Sequence, residues 1–168
     1  MLSVTNSVND IISKTVGQFT EYGFSTQLAF TTAIENSINE TKLQKLIPAI
    51  GEDLYNYIAA KDKVGLTLDQ ERIYWAEVYL SLWNFLYIIA NKETQRKAGA
   101  NVSSNRSGSS ASSSGDPGKY TSAMSNYIVG MNFLANAGYS LRLVYASGAM
   151  VEEWICENKE TYFMSDIK

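Results

Sequence analysis

The sequence contains no histidine and only one cysteine, Cys156. Without histidine there is no imidazole base for a catalytic triad or dyad and no histidine ligand for zinc, which excludes most hydrolase mechanisms. A single cysteine excludes an internal disulfide framework and is typical of a protein from a reducing compartment. Cys156 lies beside Glu157 with few cations nearby in the sequence, so we expect an ordinary thiol there rather than an activated nucleophile.

A strong net charge is also absent. The 168 residues carry a formal charge of −3, which excludes the overall basic footprint of a protein that wraps nucleic acid. The N-terminus has neither the basic segment nor the continuous apolar run of a secretion signal. What the chain does contain is apolar and aromatic side chains, at 45% and 12% of its residues. This composition predicts one packed domain over residues 1–168.

The first third of the chain predicts an arm followed by helices. Residues 1–24 are polar with weak apolar spacing, and we expect an extended N-terminal arm with room for one short helix. Apolar residues recur at helical intervals over 25–47, after which Pro48 and Gly51 mark a helix end or kink. Residues 52–60 begin with two acidic side chains and predict a short helix.

Two long segments carry the strongest helical periodicity. Thr67 stands three residues before Gln70, the spacing of a capping box, and opens the first segment. Within residues 73–90 apolar positions are four and three apart, and the only polar residues form one thin stripe that includes Glu77. Residues 120–145 repeat the same spacing. We therefore predict two long helices that lie antiparallel along matched apolar seams.

The fold class that follows is all-α, a helical bundle built on a long antiparallel helical hairpin. The bundle occupies residues 25–96 and 119–157, and its last element is a short helix that begins at Ala149. A Ser/Gly-rich loop, residues 97–118, joins the two long helices, because its composition buries too little apolar surface to offset the entropy of ordering. Residues 158–168 form a polar C-terminal tail.

Charge is distributed unevenly around this loop. From Lys92 to Lys119 the net charge is +3, whereas the segment from Glu152 to Lys168 has a net charge of −3 and carries an apolar patch. In a ring of subunits the acidic tail of one copy can meet the basic loop of its neighbour; the alternative is that solvent covers both. The interface candidates are Arg96, Lys97, Arg106 and Lys119 at the loop, Glu152 and Glu153 before the tail, and Tyr162, Phe163 and Met164 in the patch.

Two features of the sequence could indicate a binding or catalytic site. The segment GDPGKYT, residues 115–121, lacks both the upstream glycine and the Ser or Thr after the lysine of a phosphate-binding loop, so we interpret it as the entry to a helix after a Pro-Gly turn. Glu77 is a carboxylate in an apolar helix, where burial can raise its pKa, and we predict that it pairs with Arg72 or Arg142. The alternative is a helical enzyme or small-molecule binder with Glu77 in a pocket.

Residues 73–90 are also about as long as the shortest membrane span. An unpaired glutamate at membrane depth costs about 2.5 to 3.5 kcal/mol, and the aromatic residues are spread along the segment rather than gathered in two belts. We therefore favour a central helix of the bundle, with a small holin-like membrane protein as the alternative.

One ordered set of segments resembles a known family. A helix leads into Ile47-Pro48-Ala49-Ile50-Gly51, Leu54-Tyr55 follows, and the aromatic helix TLDQERIYWAEVYLSLWNFL begins at Thr67. This order, over residues 25–145, resembles the head–tail connector proteins of tailed bacteriophages, also called head-completion or adaptor proteins. The likeness is greatest to those from phages of Bacteroidetes, including crAss-like phages.

The resemblance implies a structural subunit that is not an enzyme and has no cofactor or metal. Such subunits form a homo-oligomeric ring of about twelve copies at the head–tail junction, below the portal protein. The ring seals the DNA channel and offers a platform to tail or further neck proteins, with passing contact to packaged DNA and no contact to a membrane. The implied location is the virion, and the host cytoplasm during assembly. Termini and long loops make the contacts in this family, which implies such roles for Tyr162-Phe163-Met164 and for the loop around Arg106.

Overall fold

The computed structural model describes residues 4–15, 18–104, 117–146 and 149–156. Its fold is mainly helical, with one two-stranded antiparallel sheet. Short 3-10 turns cover Phe19–Tyr22 and Lys63–Gly65, and a π-helical turn covers Lys42–Leu46. The elements are α1 Val4–Lys14, α2 Gln27–Thr41, α3 Ile47–Ile50, α4 Glu52–Ala59, α5 Leu68–Ser104, α6 Pro117–Asn136, β1 Tyr139–Ala146 and β2 Ala149–Cys156.

Helix α5 occupies the centre of the fold and packs against α1, α2 and α6. Along the contact with α6, the ring of Tyr79 stacks on that of Phe133 at 5.7 Å between centroids. The ring of Trp83 lies 4.9 Å from that of Tyr127. Residues that come later in α5 therefore contact residues that come earlier in α6.

Gly130 sets how closely α5 and α6 approach each other. A Cβ atom at this position would lie 2.6 Å from Cγ of Leu80, well inside van der Waals contact. The close packing of the two helices consequently requires a residue without a side chain at position 130.

Helix α1 belongs to the core, so the predicted N-terminal arm is wrong. Ile11 is fully buried and Val8 is 5% exposed, and α1 packs against α2 and α5. The physical reason is that Val8, Ile11 and Ile12 lie three and four residues apart, which places them on one face of a helix. The polar residues between them, such as Asn9, point outward and remain exposed.

Two boundaries before α5, at Gly51 and at Thr67, agree with the predictions from the sequence, whereas Pro48 does not end a helix but lies in the first turn of α3. Helix α3 ends at Ile50, and Gly51 follows it with a φ of 85° and a ψ of 155°, a backbone conformation that is almost confined to glycine. Before α5, the amide of Gln70 donates to the Thr67 hydroxyl at 3.4 Å, and the amide of Thr67 donates to the Gln70 side-chain oxygen at 3.2 Å. These reciprocal bonds confirm the predicted capping box.

The connection between the two long helices is shorter than the predicted loop over residues 97–118. Helix α5 continues to Ser104, because residues such as Ala98 and Ala100 extend an existing helix at little cost. Helix α6 begins at Pro117, which confirms the helix entry predicted for GDPGKYT. Residues 105–116, with most of the serines, lie outside the described residues.

Strands β1 and β2, Tyr139–Ala146 and Ala149–Cys156, pair as an antiparallel two-stranded sheet, so the all-α prediction is wrong for this part of the chain. The second long helix ends at Asn136 instead of Tyr145, and the predicted last short helix is strand β2. Gly138 follows α6 with a φ of 88°, a conformation that turns the chain away from the helix axis. The pairing register runs from Tyr139 opposite Cys156 to Ala146 opposite Ala149. The fold class is therefore mainly α with a small sheet.

Candidate functional site

Six of the nine predicted interface residues have side chains outside the described part of the structure. Arg106 and the patch Tyr162-Phe163-Met164 lie outside the described residues. Arg96 belongs to helix α5, and so does Lys97, which was predicted in the loop. The side chains of both lie outside the described part of the structure. The contacts predicted for these six residues therefore stay predictions.

Glu152 and Glu153 are exposed side chains on strand β2. In the hairpin they stand opposite Leu143 and Arg142, respectively. Neighbours on a strand point to opposite faces of the sheet, so these two carboxylates do not form one acidic site. The pKa of Tyr127 on α6 is raised, mainly by partial burial and to a smaller extent by the nearby charge of Glu152.

Lys119 contributes to a groove that runs along α5 between α1 and α6. The part of the groove nearest the start of α6, here called the first basin, has a volume of about 490 Å³. Its apolar lining comes from α5, at Tyr79, Leu82 and Leu86. The Nζ atom of Lys119 donates to the carbonyl oxygen of Glu21 at 3.3 Å and lies 5.8 Å from the ring centroid of Tyr22.

The second basin continues the groove toward the start of α5. It has a volume of about 380 Å³ and is lined by Leu68, Trp75, Tyr79 and Phe133 among others. Leu68 is 65% exposed although its side chain is apolar. The two basins share Tyr79 and Lys14.

Lys14, the last residue of α1, divides the two basins. Its Nζ atom lies 5.0 Å from the ring centroid of Trp75 and 4.9 Å from that of Tyr79. These distances are those of cation–π contacts. At the far end of the second basin, Arg72 donates to Asp69 at 2.7 Å and to the carbonyl oxygen of Asn136 at 2.9 Å. The groove therefore has a largely apolar and aromatic lining with charges of both signs. Glu21 lines the first basin and Glu71 the second, beside the cations.

The outward face of α6 is a second exposed surface, and it carries no charge. No acidic or basic residue occurs from Thr121 to Asn136. Three large apolar side chains on this helix are exposed to solvent, Met124 at 39%, Ile128 at 57% and Val129 at 36%. We call this surface the α6 face, and an uncharged, partly apolar helix face of this kind is typical of protein contacts.

Glu77 is fully buried and lies at the centre of a polar network. One carboxylate oxygen accepts a hydrogen bond from the hydroxyl of Tyr55 at 2.6 Å, and the other accepts one from Ser7 at 3.1 Å. Burial raises the pKa of Glu77 to about 7, against the opposing effect of these two bonds and of the charge of Lys42. The prediction of a raised pKa is confirmed.

The predicted partners of Glu77 are wrong. Arg72 is directed away from the core toward Asp69 and the end of α6, and Arg142 is exposed on β1. The hydroxyls of Ser7 and Tyr55 take the place of a guanidinium, because α1 and α4 cover this side of α5. Glu77 lines neither basin of the groove, so the two clefts give no support to the alternative of a ligand pocket around it.

A second polar cluster fixes α1 at the surface. Lys63 donates to a carboxylate oxygen of Asp10 at 2.9 Å, and the hydroxyl of Tyr74 donates to the same oxygen. Partial burial would raise the pKa of Asp10, but the hydrogen bonds from Lys63 and Tyr74 and the charges of Lys63 and Lys14 outweigh it and lower the pKa. The pKa of Tyr74 is raised, mainly by burial and to a smaller extent by its hydrogen bond to Asp10.

Two other kinds of site are a metal centre and a membrane span. Within the part of the chain that the structure describes, no three Cys, Asp or Glu side chains cluster closely enough to hold a metal ion. The segment Leu68–Lys92 of α5 is long and apolar enough to cross a membrane, with a mean hydropathy of 1.2. However, 67% of that window is buried inside the fold, which is typical of a core helix.

Sequence reasoning missed the groove and the partners of Glu77. The groove joins Lys14 of α1 to Phe133 of α6, and no sequence spacing links such distant positions. A partial signal existed in α1, where Val8 and Ile11 already had helical spacing and pointed to a packed element. Ser7 and Tyr55 carried no signal, since single hydroxyls in polar segments are common.

Compared with known proteins, the chain matches no family model, no curated protein and no solved structure.

Proposed function

We propose that this chain is a structural subunit of a bacteriophage neck, which forms a homo-oligomeric ring below the portal and provides a platform for tail attachment. The observation that carries the proposal is the α6 face, an uncharged surface on which Met124, Ile128 and Val129 are exposed. A ring needs a surface of this kind, because subunits that meet through a heterologous contact must bury an apolar patch without stranding charges. The resemblance over residues 25–145 is the reason for proposing a ring and for placing it at the phage neck.

The rigidity of the body supports the same proposal. Four aromatic rings from the first 3-10 turn, its flanking chain, α2 and α5 pack against one another with centroids 5.5 to 6.1 Å apart. The rings belong to Tyr22, Phe24, Phe30 and Phe85. We propose that α5 and α6 form the antiparallel hairpin of a helical bundle, which holds the α6 face in a fixed orientation. A fixed surface loses little conformational entropy when subunits associate.

Electron microscopy and light scattering test the proposal on purified protein. We expect closed rings for the unaltered chain, and for Ile128→Lys we expect a shift toward monomers, because a lysine at the contact must be desolvated without a partner. Val64→Lys is the matched control, since Val64 is fully exposed, also apolar and lies in a different element. The proposal fails if the unaltered protein is strictly monomeric and is also absent from purified virions.

A further inference from the structure

Helix α1 covers the carboxyl group of Glu77 and separates it from solvent on one side of the core. We propose that α1 is a pH-dependent latch, a helix that stays docked while this carboxyl group is neutral and opens locally when it becomes a carboxylate. The opening is confined to α1 and leaves α2 to α6 packed. The inference concerns a movement within one subunit and does not depend on the ring proposed above.

The contact between α1 and Glu77 is fully removed from water. Ser7 of α1 and Glu77 of α5 have no exposed surface, and the Ser7 hydroxyl donates to Oε2 of the carboxylate at 3.1 Å. On the other side, the hydroxyl of Tyr55 on α4 donates to Oε1 at 2.6 Å. A buried carboxylate with two neutral donors has lost its hydration without gaining an ion pair. An ionised Glu77 regains water only if α1 or α4 moves away.

No cation pairs with this carboxylate. Among the described residues Glu77 forms no ion pair. Lys42 of the π-helical turn acts on it through space, but the Nζ atom of Lys42 lies over the ring of Tyr55, 4.9 Å from the centroid. Burial raises the pKa values of Tyr55 and of Tyr74 on α5, so both hydroxyls stay neutral near pH 7. On α2, the exposed Glu40 bonds to the side-chain amide of Asn84 instead.

Helix α1 is the weaker of the two covers. Its sequence is VTNSVNDIISK, in which every residue but the last is β-branched or a short polar residue of low helix propensity. A helix of eleven residues is marginal in water without tertiary contacts. Among the described side chains of α1, only Ser7, Val8 and Ile11 are buried. Helix α4, in contrast, is held between α3 and the second 3-10 turn. We therefore assign the opening to α1.

The ion pair of α1 does not respond to pH near neutrality. Asp10 accepts a hydrogen bond from Lys63 at 2.9 Å. Although partial burial acts to raise the pKa of Asp10, its bonds to Lys63 and Tyr74 lower it below 3.8, so the pair persists above pH 5. The other charged side chain of α1, Lys14, lies over two aromatic rings of α5. The chain has no histidine, the side chain that ordinarily titrates between pH 5 and pH 8.

The direction of the response follows from the two states of the carboxyl group. In the docked state, burial raises the pKa of Glu77 from 4.5 to about 7. When α1 opens, the group meets water and its pKa returns toward 4.5. Docking is therefore strongest below pH 4.5, weakens as the pH rises toward 7, and changes little above that. With full hydration in the open state, the opening constant increases about 70-fold between pH 5 and pH 8.

Hydrogen exchange of the full-length protein, measured by mass spectrometry on peptides, detects the opening of α1. Protection factors, which correct for the intrinsic effect of pH on exchange, should fall by about 10- to 70-fold for the α1 amides between pH 5 and pH 8. In Glu77→Gln the same protection factors should stay nearly constant, because glutamine does not titrate. Glu40→Gln, at an exposed position on α2, is the control and should keep the pH dependence of the unaltered protein.

Urea separates local opening from unfolding of the whole protein. At low urea concentrations, exchange in α1 should depend little on urea, because local opening exposes little surface. Exchange of buried amides in the middle of α5 should depend on urea strongly. One shared urea dependence for α1 and α5 would overturn the proposal. So would α1 protection that is constant with pH in the unaltered protein, or that still falls with pH in Glu77→Gln.

A second variant tests the latch without altering Glu77. Asp10→Asn removes the charged partner of Lys63 on α1 and should increase exchange in α1 by the same factor at every pH from 5 to 8. The double variant with Glu77→Gln should then exchange faster than Glu77→Gln alone and show no pH dependence. If Asp10→Asn by itself abolishes the pH dependence, the response belongs to the ion pair and the proposal is wrong.

Discussion

Replacing Glu77 with glutamine is expected to change how the stability of this protein depends on pH. The carboxyl group is fully buried and its pKa is raised from 4.5 to about 7 by loss of solvent. Below pH 4.5 it is neutral in both the folded and the unfolded chain. As the pH rises above 4.5, the unfolded chain releases the proton while the folded chain retains it, so the free energy of unfolding decreases.

The size of this effect follows from the pKa difference. One unit corresponds to about 1.4 kcal/mol, so the shift at Glu77 removes roughly 3 kcal/mol of stability between pH 4.5 and pH 7, after which the curve becomes flat. Glutamine has the shape of the protonated acid and does not titrate. Its carbonyl oxygen can still accept the hydrogen bond from Tyr55, and its amide can donate to Ser7.

Urea unfolding of both proteins at half-unit intervals from pH 4 to pH 8 measures the effect. The difference in unfolding free energy, Glu77→Gln minus unaltered protein, should increase by about 3 kcal/mol across this range. Glu40→Gln is the control, because it removes the charge of an exposed carboxylate on α2 and keeps an acceptor for the side-chain amide of Asn84. If the curves of the unaltered protein and Glu77→Gln run parallel, the reasoning that links burial of Glu77 to its proton affinity is refuted.

Two further predictions concern helix packing and helix capping. Gly130→Ala should destabilise the fold by about 1 to 3 kcal/mol in urea unfolding, because the new methyl group would lie 2.6 Å from Leu80. Gly65→Ala is the control and should be nearly neutral, because a Cβ atom at that position would have no other atom within 4 Å. Thr67→Ala should cost about 1 kcal/mol in the same assay, because the amide of Gln70 loses its acceptor at the start of α5; an unchanged midpoint would mean that the capping box does not stabilise this helix.

Sequence patterns predicted the fold best where neighbouring residues decide the structure. The capping box at Thr67 and the helix start at Pro117 depend on residues within one turn, and both were confirmed. The segment after Gly138 was misread because its apolar residues fit two periods. Leu141 and Tyr145 continue the spacing of α6, yet Tyr139, Leu141, Leu143 and Tyr145 also alternate as in a strand. The β-branched and aromatic character of the segment favours the strand.

The partners of buried groups were beyond the reach of sequence patterns. The apolar surroundings of Glu77 were visible in the sequence and predicted its raised pKa. Its hydrogen-bond donors were not, because Ser7 and Tyr55 are 70 and 22 residues away along the chain. A guanidinium partner was expected on electrostatic grounds, but the groups that bond to the carboxylate are hydroxyls of α1 and α4.

By itself, the sequence determined a mainly helical protein without histidine chemistry, the position of its longest apolar helix, and the local signals that begin and end several helices. These properties follow from composition and from interactions within a few residues. Only the tertiary structure decided that α1 is core, that residues 139–146 pair with 149–156 as strands, and that Lys14, Tyr79 and Phe133 line one groove. Such features depend on which surfaces, distant along the chain, are removed from water together. The free energy of this burial depends on several segments at once, so no single stretch of the sequence indicates it.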